Sequence, residues 1–144
     1  MFGLNKTWQL EARLKADTFP ICNFGECSIL LMNDQRWPWI IIVPQVPDCE
    51  ELHELSNGQV DNLMTITSNA GENLKKFARA EKINTAALGN IVRQLHIHVV
   101  ARSVGDPDWP APVWGYENTE RYPVAKGLAL AEKLKEELFA SSIS

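Results

Sequence analysis

Residues 93–102 read RQLHIHVVAR and contain two of the three histidines in the 144-residue chain. An apolar run of this length is typical of a buried β-strand, in which successive side chains point to opposite faces of the sheet. One face is predicted to pack on a helix and carries Leu95, Ile97, Val99 and Ala101. The opposite face carries Gln94, His96, His98, Val100 and Arg102, so two imidazoles and an amide stand in one row at intervals of about 6.6 Å.

Three interpretations of His96 and His98 are open from the residues alone. In the first, both are simply half-buried strand residues, since histidine is commonly intermediate in burial. In the second they bind zinc, but zinc needs three or four protein ligands, and the remaining histidine, His53, lies on a predicted helical turn of undetermined direction. In the third, one imidazole attacks phosphorus as a neutral nucleophile while the other donates to the phosphate oxygens.

The composition is that of an ordinary globular protein, with 45% hydrophobic and 22% charged residues. The length suits one domain, so residues 1–144 are predicted to form a single domain without internal repeats. The formal net charge of −4 argues against a protein that binds nucleic acid polymers or membrane surfaces, since those present a basic face. A small anionic ligand is compatible with this charge, because a few local arginines suffice to hold one.

The cysteines predict a reducing, cytoplasmic setting. Cys22, Cys27 and Cys49 are odd in number and lack CxxC spacing, so free thiols are expected rather than a disulfide framework or a zinc ribbon. The first residues lack the basic start and apolar centre of a signal peptide. No apolar run approaches the roughly 20 residues that a membrane-spanning helix needs.

The first half of the chain is predicted to contain one hairpin and one long helix. A short helix is expected within residues 7–17, followed by a loop at 19–25. Residues 27–34 and 39–44 are predicted strands joined by a hairpin connection at 33–38. A second short helix is expected at 48–55, and Ser56 with Gln59 then forms a predicted capping box that starts a helix ending near residue 80. The apolar face of this helix would comprise Val60, Leu63, Met64, Thr67, Ala70, Leu74 and Phe77.

The second half is predicted to add another hairpin and a C-terminal helix. Residues 83–88 and 93–101 are the strands, joined by a turn at 89–90, and a loop rich in proline and tryptophan follows at 104–118. Pro123 opens a helix over 123–140, whose buried face would comprise Val124, Leu128, Ala131, Leu134 and Leu138. The order predicts an α+β fold with an antiparallel sheet of two hairpins, a long central helix and a C-terminal helix.

Several stretches resemble the histidine-triad (HIT) superfamily. The run GNIVRQLHIHVVAR (89–102) is similar to the family signature, in which three histidines alternate with apolar residues. CSILLMND followed by WIIIVP resembles the family's first hairpin, the helix at Ser56 its central helix, and INTAALGN the strand before the triad. The resemblance covers about residues 20–102, and DPDWPAPVWG is similar to a bacterial branch of the family.

The resemblance implies a site and a reaction. His96 takes the position of the family's nucleophile, and His98 that of a phosphate contact. Gln94 occupies the first triad position, and Trp39 stands about where the family often has a further histidine. The implied function is a nucleotide phosphohydrolase or nucleotidyl transferase that attacks the α-phosphate of a dinucleoside polyphosphate or nucleoside phosphoramidate through a nucleotidyl-histidine. The implied partners are a nucleotide or related phosphate ester and a second copy of the chain in a homodimer.

Further binding residues are expected around this row. Asn33 matches a position that touches the ribose in the family, whereas Asn84 and Asn90 match polar positions near the phosphates. Arg102 shares the histidine face and is expected to reach a phosphate. The indoles of Trp39, Trp109 and Trp114 are candidates for stacking on a base, and packing of a surface loop is the alternative reading of each. No cofactor is implied, apart from Mg²⁺ accompanying a polyphosphate substrate.

Gln94 and Trp39 also favour a function of another class. Glutamine forms hydrogen bonds but does not titrate, and an indole cannot protonate a leaving group. A nucleotide-binding or interaction module that keeps the fold with little turnover is therefore the alternative. Arg36, Arg79 and Arg121 are interpreted as solvated surface charges.

Overall fold

The computed structural model describes residues 6–140, which form the predicted α+β fold around a five-stranded antiparallel sheet with strand order β1-β2-β3-β5-β4. The strands are β1 (Thr18–Phe24), β2 (Cys27–Met32), β3 (Trp39–Pro44), β4 (Lys82–Ala86) and β5 (Ile97–Arg102). The helices are α1 (Ala12–Ala16), α2 (Asn57–Ala78) and α3 (Val124–Leu138), with a 3₁₀ turn at Leu52–Glu54.

The expectation of a loop at 19–25 is wrong for residues 19–24, which belong to β1, and holds only for the turn residue Gly25. Phe19 and Ile21 are buried on either side of the exposed Pro20, which is strand alternation. β1 lies at the edge of the sheet, where a proline costs no ladder hydrogen bond if its missing N–H would face solvent. Gly25 and Glu26 both have positive φ angles of 56° and 62°, as a two-residue turn between antiparallel strands requires. The first hairpin is thus part of a three-stranded meander.

The start of α2 confirms the predicted capping box. Ser56 Oγ accepts from the Gln59 N–H at 3.2 Å, and Gln59 Oε1 accepts from the Ser56 N–H at 2.8 Å. These bonds satisfy two backbone N–H groups that the first helical turn leaves without partners. The expected helix at 48–55 is instead reduced to the 3₁₀ turn.

The predicted strand at 93–101 begins four residues later than expected, at Ile97. The last β3 pairing on this side joins Ile42 to Ile97, and β4 ends its pairing with Ala86 opposite His98. Residues 87–96 form a longer connection than the expected tight turn at 89–90. His96 is consequently the last residue before β5, whereas His98 is the second residue of the strand.

The two faces of β5 pack into separate cores, as the alternation predicts. Its apolar face belongs to the larger core beneath α2 and α3. Its other face contributes Val100 to a second core. This core is covered by α1 and by the loop at 104–118 and is therefore not exposed to solvent. That second core comprises Leu14, Leu30, Trp37, Trp39, Ile41, Val43, Val100 and Val113. The histidine row therefore lies beside a covered apolar layer.

Both long helices bury slightly different faces from those predicted. Met64 on α2 is partly exposed while Ile66 is buried. On α3, Val124 and Leu128 are 68% and 54% exposed, and the buried side runs through Gly127 instead. Within the described part of the chain, neither helix combines the length and the apolar character needed to cross a bilayer.

Candidate active site

His96 is held in one orientation by the backbone of Gln94. Its Nδ1 lies 2.6 Å from the Gln94 carbonyl oxygen. Because a carbonyl oxygen only accepts hydrogen bonds, Nδ1 carries the proton and Nε2 of the neutral ring keeps its lone pair. The bend that precedes β5 creates this contact, since a carbonyl two residues back turns towards the ring. The lone pair of the His96 ring therefore lies on Nε2, on the side away from the Gln94 carbonyl.

His98 has the opposite tautomer. The indole Nε1–H of Trp39 donates to His98 Nδ1 over 3.0 Å. An indole nitrogen only donates, so Nδ1 is unprotonated and Nε2 carries the hydrogen. Burial, and secondarily the nearby His96, lower the pKa of His98 from 6.5 to about 3. His98 is therefore a neutral hydrogen-bond donor.

Aromatic rings enclose the histidine row. The ring centroids of His96 and His98 lie 4.8 Å apart. Trp114 lies 5.5 Å from His98 and 6.3 Å from Trp39, in both cases edge to face. The indole N–H of Trp114 is buried and has no hydrogen-bond partner among the described residues.

Two cavities meet at His96. The first, of about 660 Å³, runs beside both histidines and has an apolar wall and a charged rim. The second, of about 610 Å³, extends from His96 past Asn90, Gln94 and Arg93 towards His53. Cavities of 300–1,000 Å³ are typical of small-molecule sites. The main wall residues of the first cavity are Leu14, Met32, Ile41, Val113, Trp114 and Tyr116.

The Gln94 side chain serves the N-terminal segment. Its Nε2 donates to the Gln9 carbonyl oxygen and its Oε1 accepts from the Glu11 N–H, both at 2.9 Å. The amide thus imitates a strand partner for residues 9–11. Both the nitrogen and the oxygen of the Gln94 amide are bound to backbone groups of the N-terminal segment, which fixes the orientation of this side chain.

Arg102 is also engaged elsewhere. It is 1% exposed, and its five N–H donors meet Asp106, Asn84 and the carbonyl oxygens of Pro107 and Ala111. Trp109 lies against the same guanidinium, 5.6 Å from ring centroid to Cζ. Arg102, Asn84 and Trp109 therefore form one network that holds the loop at 104–118, outside the lining of the two cavities.

The asparagines divide between structure and cavity. Asn33 Oδ1 accepts from the Tyr122 N–H at 2.8 Å, which attaches the segment before α3 to the end of β2. Asn90 is exposed and lines both cavities. Of the residues predicted to bind substrate, Asn90, Trp39 and Trp114 are the ones that the structure brings to the first cavity with His96 and His98.

The interpretation of Arg36 as a solvated charge is wrong. Its Nη2 lies 2.7 Å from Asp34 Oδ2, and the two side chains are 6% and 4% exposed. Arg36 also packs over the rings of Trp37 and Tyr116. Both charged residues line the first cavity, and sequence reasoning missed them. The available signal was an acidic and a basic residue two positions apart in a short turn between two buried strands.

A zinc site receives no support from side-chain clustering. Among residues 6–140, no three histidine, cysteine, aspartate or glutamate side chains converge to hold a metal ion. Cys27 and Cys49 are buried thiols, and burial raises the pKa of Cys27 to about 11, so neither is arranged as a reactive thiolate.

Comparison with known proteins identifies the family of this chain. The sequence model of the HIT domain family matches residues 13–105 of this chain. A histidine triad protein from Sinorhizobium meliloti is 48% identical, with a TM-score of 0.88 over 92% of this chain and 98% of its own. Histidine triad proteins from Marinobacter aquaeolei and Bradyrhizobium japonicum are 39% and 36% identical, with TM-scores of 0.90 and 0.87. The first of these two alignments covers 95% of this chain and 99% of the relative, the second 92% and 99%. None of the curated proteins matches the chain. The chain belongs to the HIT domain family, with glutamine in place of the first histidine of the triad.

Proposed function

We propose that the protein is a nucleotide phosphohydrolase or nucleotidyl transferase in which His96 attacks the α-phosphorus of a nucleoside phosphate derivative. The observation that carries this proposal is the 2.6 Å contact between His96 Nδ1 and the Gln94 carbonyl. This contact leaves the Nε2 lone pair available where two cavities meet. The carbonyl also stabilises the positive charge that the ring acquires when Nε2 bonds to phosphorus.

The two cavities suggest which part of such a substrate would bind on each side of His96. The first has room for a nucleoside, and its apolar wall with Trp114 suits a base, since aromatic faces stack on any base. The second begins on the other side of His96 and suits the leaving group. His98 Nε2–H and the exposed amide of Asn90 are the donors proposed to hold the non-bridging oxygens.

The reaction has two displacements. Nε2 of His96 donates its lone pair to phosphorus, and the bond to the leaving group breaks with its electron pair on that group. Water then attacks phosphorus, the P–N bond returns its electron pair to Nε2, and the proton of water passes to solvent. A different acceptor in place of water would give nucleotidyl transfer.

Two further parts of the proposal, the homodimer and the cofactor, derive from the family resemblance, and the third, the cytoplasmic setting, derives from the odd number and the spacing of the cysteines. The protein works as a homodimer in a reducing cytoplasm, and it needs no cofactor beyond Mg²⁺ accompanying a polyphosphate substrate. Light scattering after size exclusion tests the dimer, and activity in the presence of a chelator tests the metal.

The test is nucleotide release from an adenosine phosphoramidate, a diadenosine polyphosphate and a nucleotide sugar. Wild type is compared with His96→Ala and with Glu72→Gln, a control on the exposed surface of α2. Release by wild type and the control but not by His96→Ala supports the proposal. A mass increase of one nucleotidyl group, that is, one nucleoside monophosphate less water, on rapidly quenched wild type identifies the covalent intermediate.

A nucleotide-binding module is the second candidate. The engagement of the Gln94 amide by backbone favours it, because a polar group of the row is thereby withdrawn from the substrate. Binding of adenosine monophosphate without release from any substrate, and binding that His96→Ala only weakens, would select this candidate.

A further inference from the structure

The indole of Trp39 on β3 forms a hydrogen bond with the imidazole of His98 on the neighbouring strand β5. Trp39 pairs with Val100 and Ile41 with His98, so the indole and the imidazole are diagonal neighbours on one face of the sheet. Aromatic side chains reach each other over this diagonal. Both residues are 6% exposed, and water therefore does not compete strongly for their hydrogen bond.

The bond between these rings excludes one protonation state. An imidazolium ring carries hydrogen on both nitrogens, so His98 Nδ1–H would then face the Nε1–H of Trp39 across 3.0 Å. Protonation would break the bond and leave a buried indole N–H without a partner, which costs free energy.

The other neighbours of His98 do not favour a charged ring. Ile41 and Ala86 are its partners on β3 and β4, and Trp114 covers it from the loop. The titratable neighbour is His96, just before the start of β5, whose positive form would repel a second cation.

The charged residues near the row are paired with each other. Asp34 of the β2–β3 turn is bound to Arg36. Arg102, further along β5, is bound to Asp106. Neither acidic group is therefore left unpaired to stabilise an imidazolium at His98.

The two other members of the histidine row, His96 and Gln94, do not supply an acidic proton to a substrate either. The Nδ1–H of His96 is committed to the Gln94 carbonyl. The amide of Gln94 is committed to Gln9 and Glu11. The row thus supplies a neutral donor at His98 for the phosphate oxygens, but it contains no acid for the leaving group.

We propose that Trp39 is a positioning residue that holds His98 as a neutral Nε2–H donor and thereby restricts turnover to leaving groups that depart as anions. This inference rests on the proposed function and narrows its substrate class to phosphoanhydrides. When His96 Nε2 bonds to the α-phosphorus of an anhydride, the P–O bond breaks, and the oxygen keeps the electron pair as a phosphate anion without needing a proton. An alkylamine leaving from a phosphoramidate would depart as an amide anion unless its nitrogen were first protonated.

The first arm of the test reads the tautomer directly, without any substrate. Long-range ¹H–¹⁵N correlation spectra of histidine-labelled protein distinguish Nε2–H from Nδ1–H and from imidazolium. Wild-type His98 is expected as the Nε2–H form throughout pH 5–8. Trp39→Phe should produce a mixture of forms, while Trp109→Phe, a tryptophan remote from His98, should leave the His98 signals unchanged. A wild-type His98 that is protonated at Nδ1 overturns the proposal and requires no variant to fold.

The second arm compares leaving groups. Wild type should hydrolyse diadenosine triphosphate with a kcat/KM about 100-fold or more above that for an alkylamine phosphoramidate of adenosine monophosphate, because general acid catalysis contributes 10²–10⁴-fold. Trp39→His replaces the indole by a titratable ring that can supply an acid. This variant should therefore have a higher kcat on the phosphoramidate, so that the ratio of the two kcat/KM values becomes smaller. Equal wild-type rates on both substrates overturn the restriction. Release from neither substrate overturns it together with the proposed function, whereas the tautomer assignment would stand on the spectra.

Discussion

Arg102 and Asp106 form an ion pair at the end of β5, in which the arginine is buried and the aspartate is partly buried, with Nη2 of the arginine 2.7 Å from Oδ1 of the aspartate. The same guanidinium binds the carbonyl oxygen of Ala111, three residues before the tryptophan that covers His98. Burial raises the pKa of the Asp106 carboxyl, but the hydrogen bonds from Arg102 and the Ser103 N–H outweigh this effect and leave that pKa lowered. The pair therefore connects the strand that carries the histidines to the loop that closes the site.

Removing this arginine should destabilise the protein strongly. Arg102→Met is expected to lower the free energy of unfolding by about 3–5 kcal/mol, because it leaves Asp106 without its cationic partner and the side-chain oxygen of Asn84 and the carbonyl oxygen of Ala111 without the guanidinium donor. Arg93→Met is the matched control, since Arg93 is exposed and its pair with Glu50 lies on the surface; its loss should be within about 1 kcal/mol. Urea denaturation measures both variants, and equal losses would contradict the structural role assigned to Arg102.

The lowered pKa of His98 should make stability depend on pH in a defined window. Above about pH 6.5 the ring is neutral in both states. As the pH falls from 6.5 towards 3, the unfolded chain binds a proton at this residue that the folded chain does not. The free energy of unfolding therefore falls with falling pH, by up to about 1.4 kcal/mol per pH unit from this residue.

His98→Asn supplies the control for this window, because asparagine does not titrate. Urea denaturation of both proteins at pH 7, 6 and 5 should show a steeper loss in wild type. Parallel curves for the two proteins would show that His98 titrates alike in the folded and unfolded states.

Trp114 and Trp109 should differ in their effect on nucleotide binding. Trp114 lines the first cavity, whereas Trp109 lies against the buried Arg102. Trp114→Ala is expected to weaken binding of adenosine monophosphate by about 1–3 kcal/mol, the contribution of one base–aromatic stack. Calorimetric titration measures the affinity of this variant and of Trp109→Ala, the comparison, for adenosine monophosphate. Equal weakening of binding by both variants would argue against a base beside Trp114.

Gln94→His should release the N-terminal segment. The substitution restores the residue typical of the first triad position, but it removes the amide that binds both Gln9 and Glu11. Backbone amide exchange at Glu11, whose N–H is bound by Gln94, should become faster, while exchange within α2 stays unchanged. Unchanged exchange at Glu11 would mean that α1 and the second core hold the segment without Gln94.

Local patterns determined much of the fold. β3 has its predicted bounds because five consecutive apolar residues are followed by a proline, and α2 starts where the side chains of Ser56 and Gln59 each accept a hydrogen bond from the other's backbone N–H. The alternation of β5 correctly assigned its two faces, because a strand has a period of two whatever it packs against. These features depend on residues within a few positions of each other.

Other features depend on what surrounds a segment. β1 was missed because proline and asparagine suggest a loop, and only its place at the edge of the sheet makes Pro20 tolerable. Arg36 was misjudged because its burial depends on Tyr116, which arrives from a distant loop.

The sequence by itself predicted that the rings of His96 and His98 lie side by side, and their centroids are 4.8 Å apart. The tertiary structure decided what each side chain does there. The tautomer of His98 depends on a residue 59 positions away, and the Gln94 amide is occupied by a segment 85 positions away. Local periodicity specifies the direction of a side chain, but hydrogen-bond partners from distant parts of the chain specify its proton, and those partners meet only when the sheet and its covering loop have assembled.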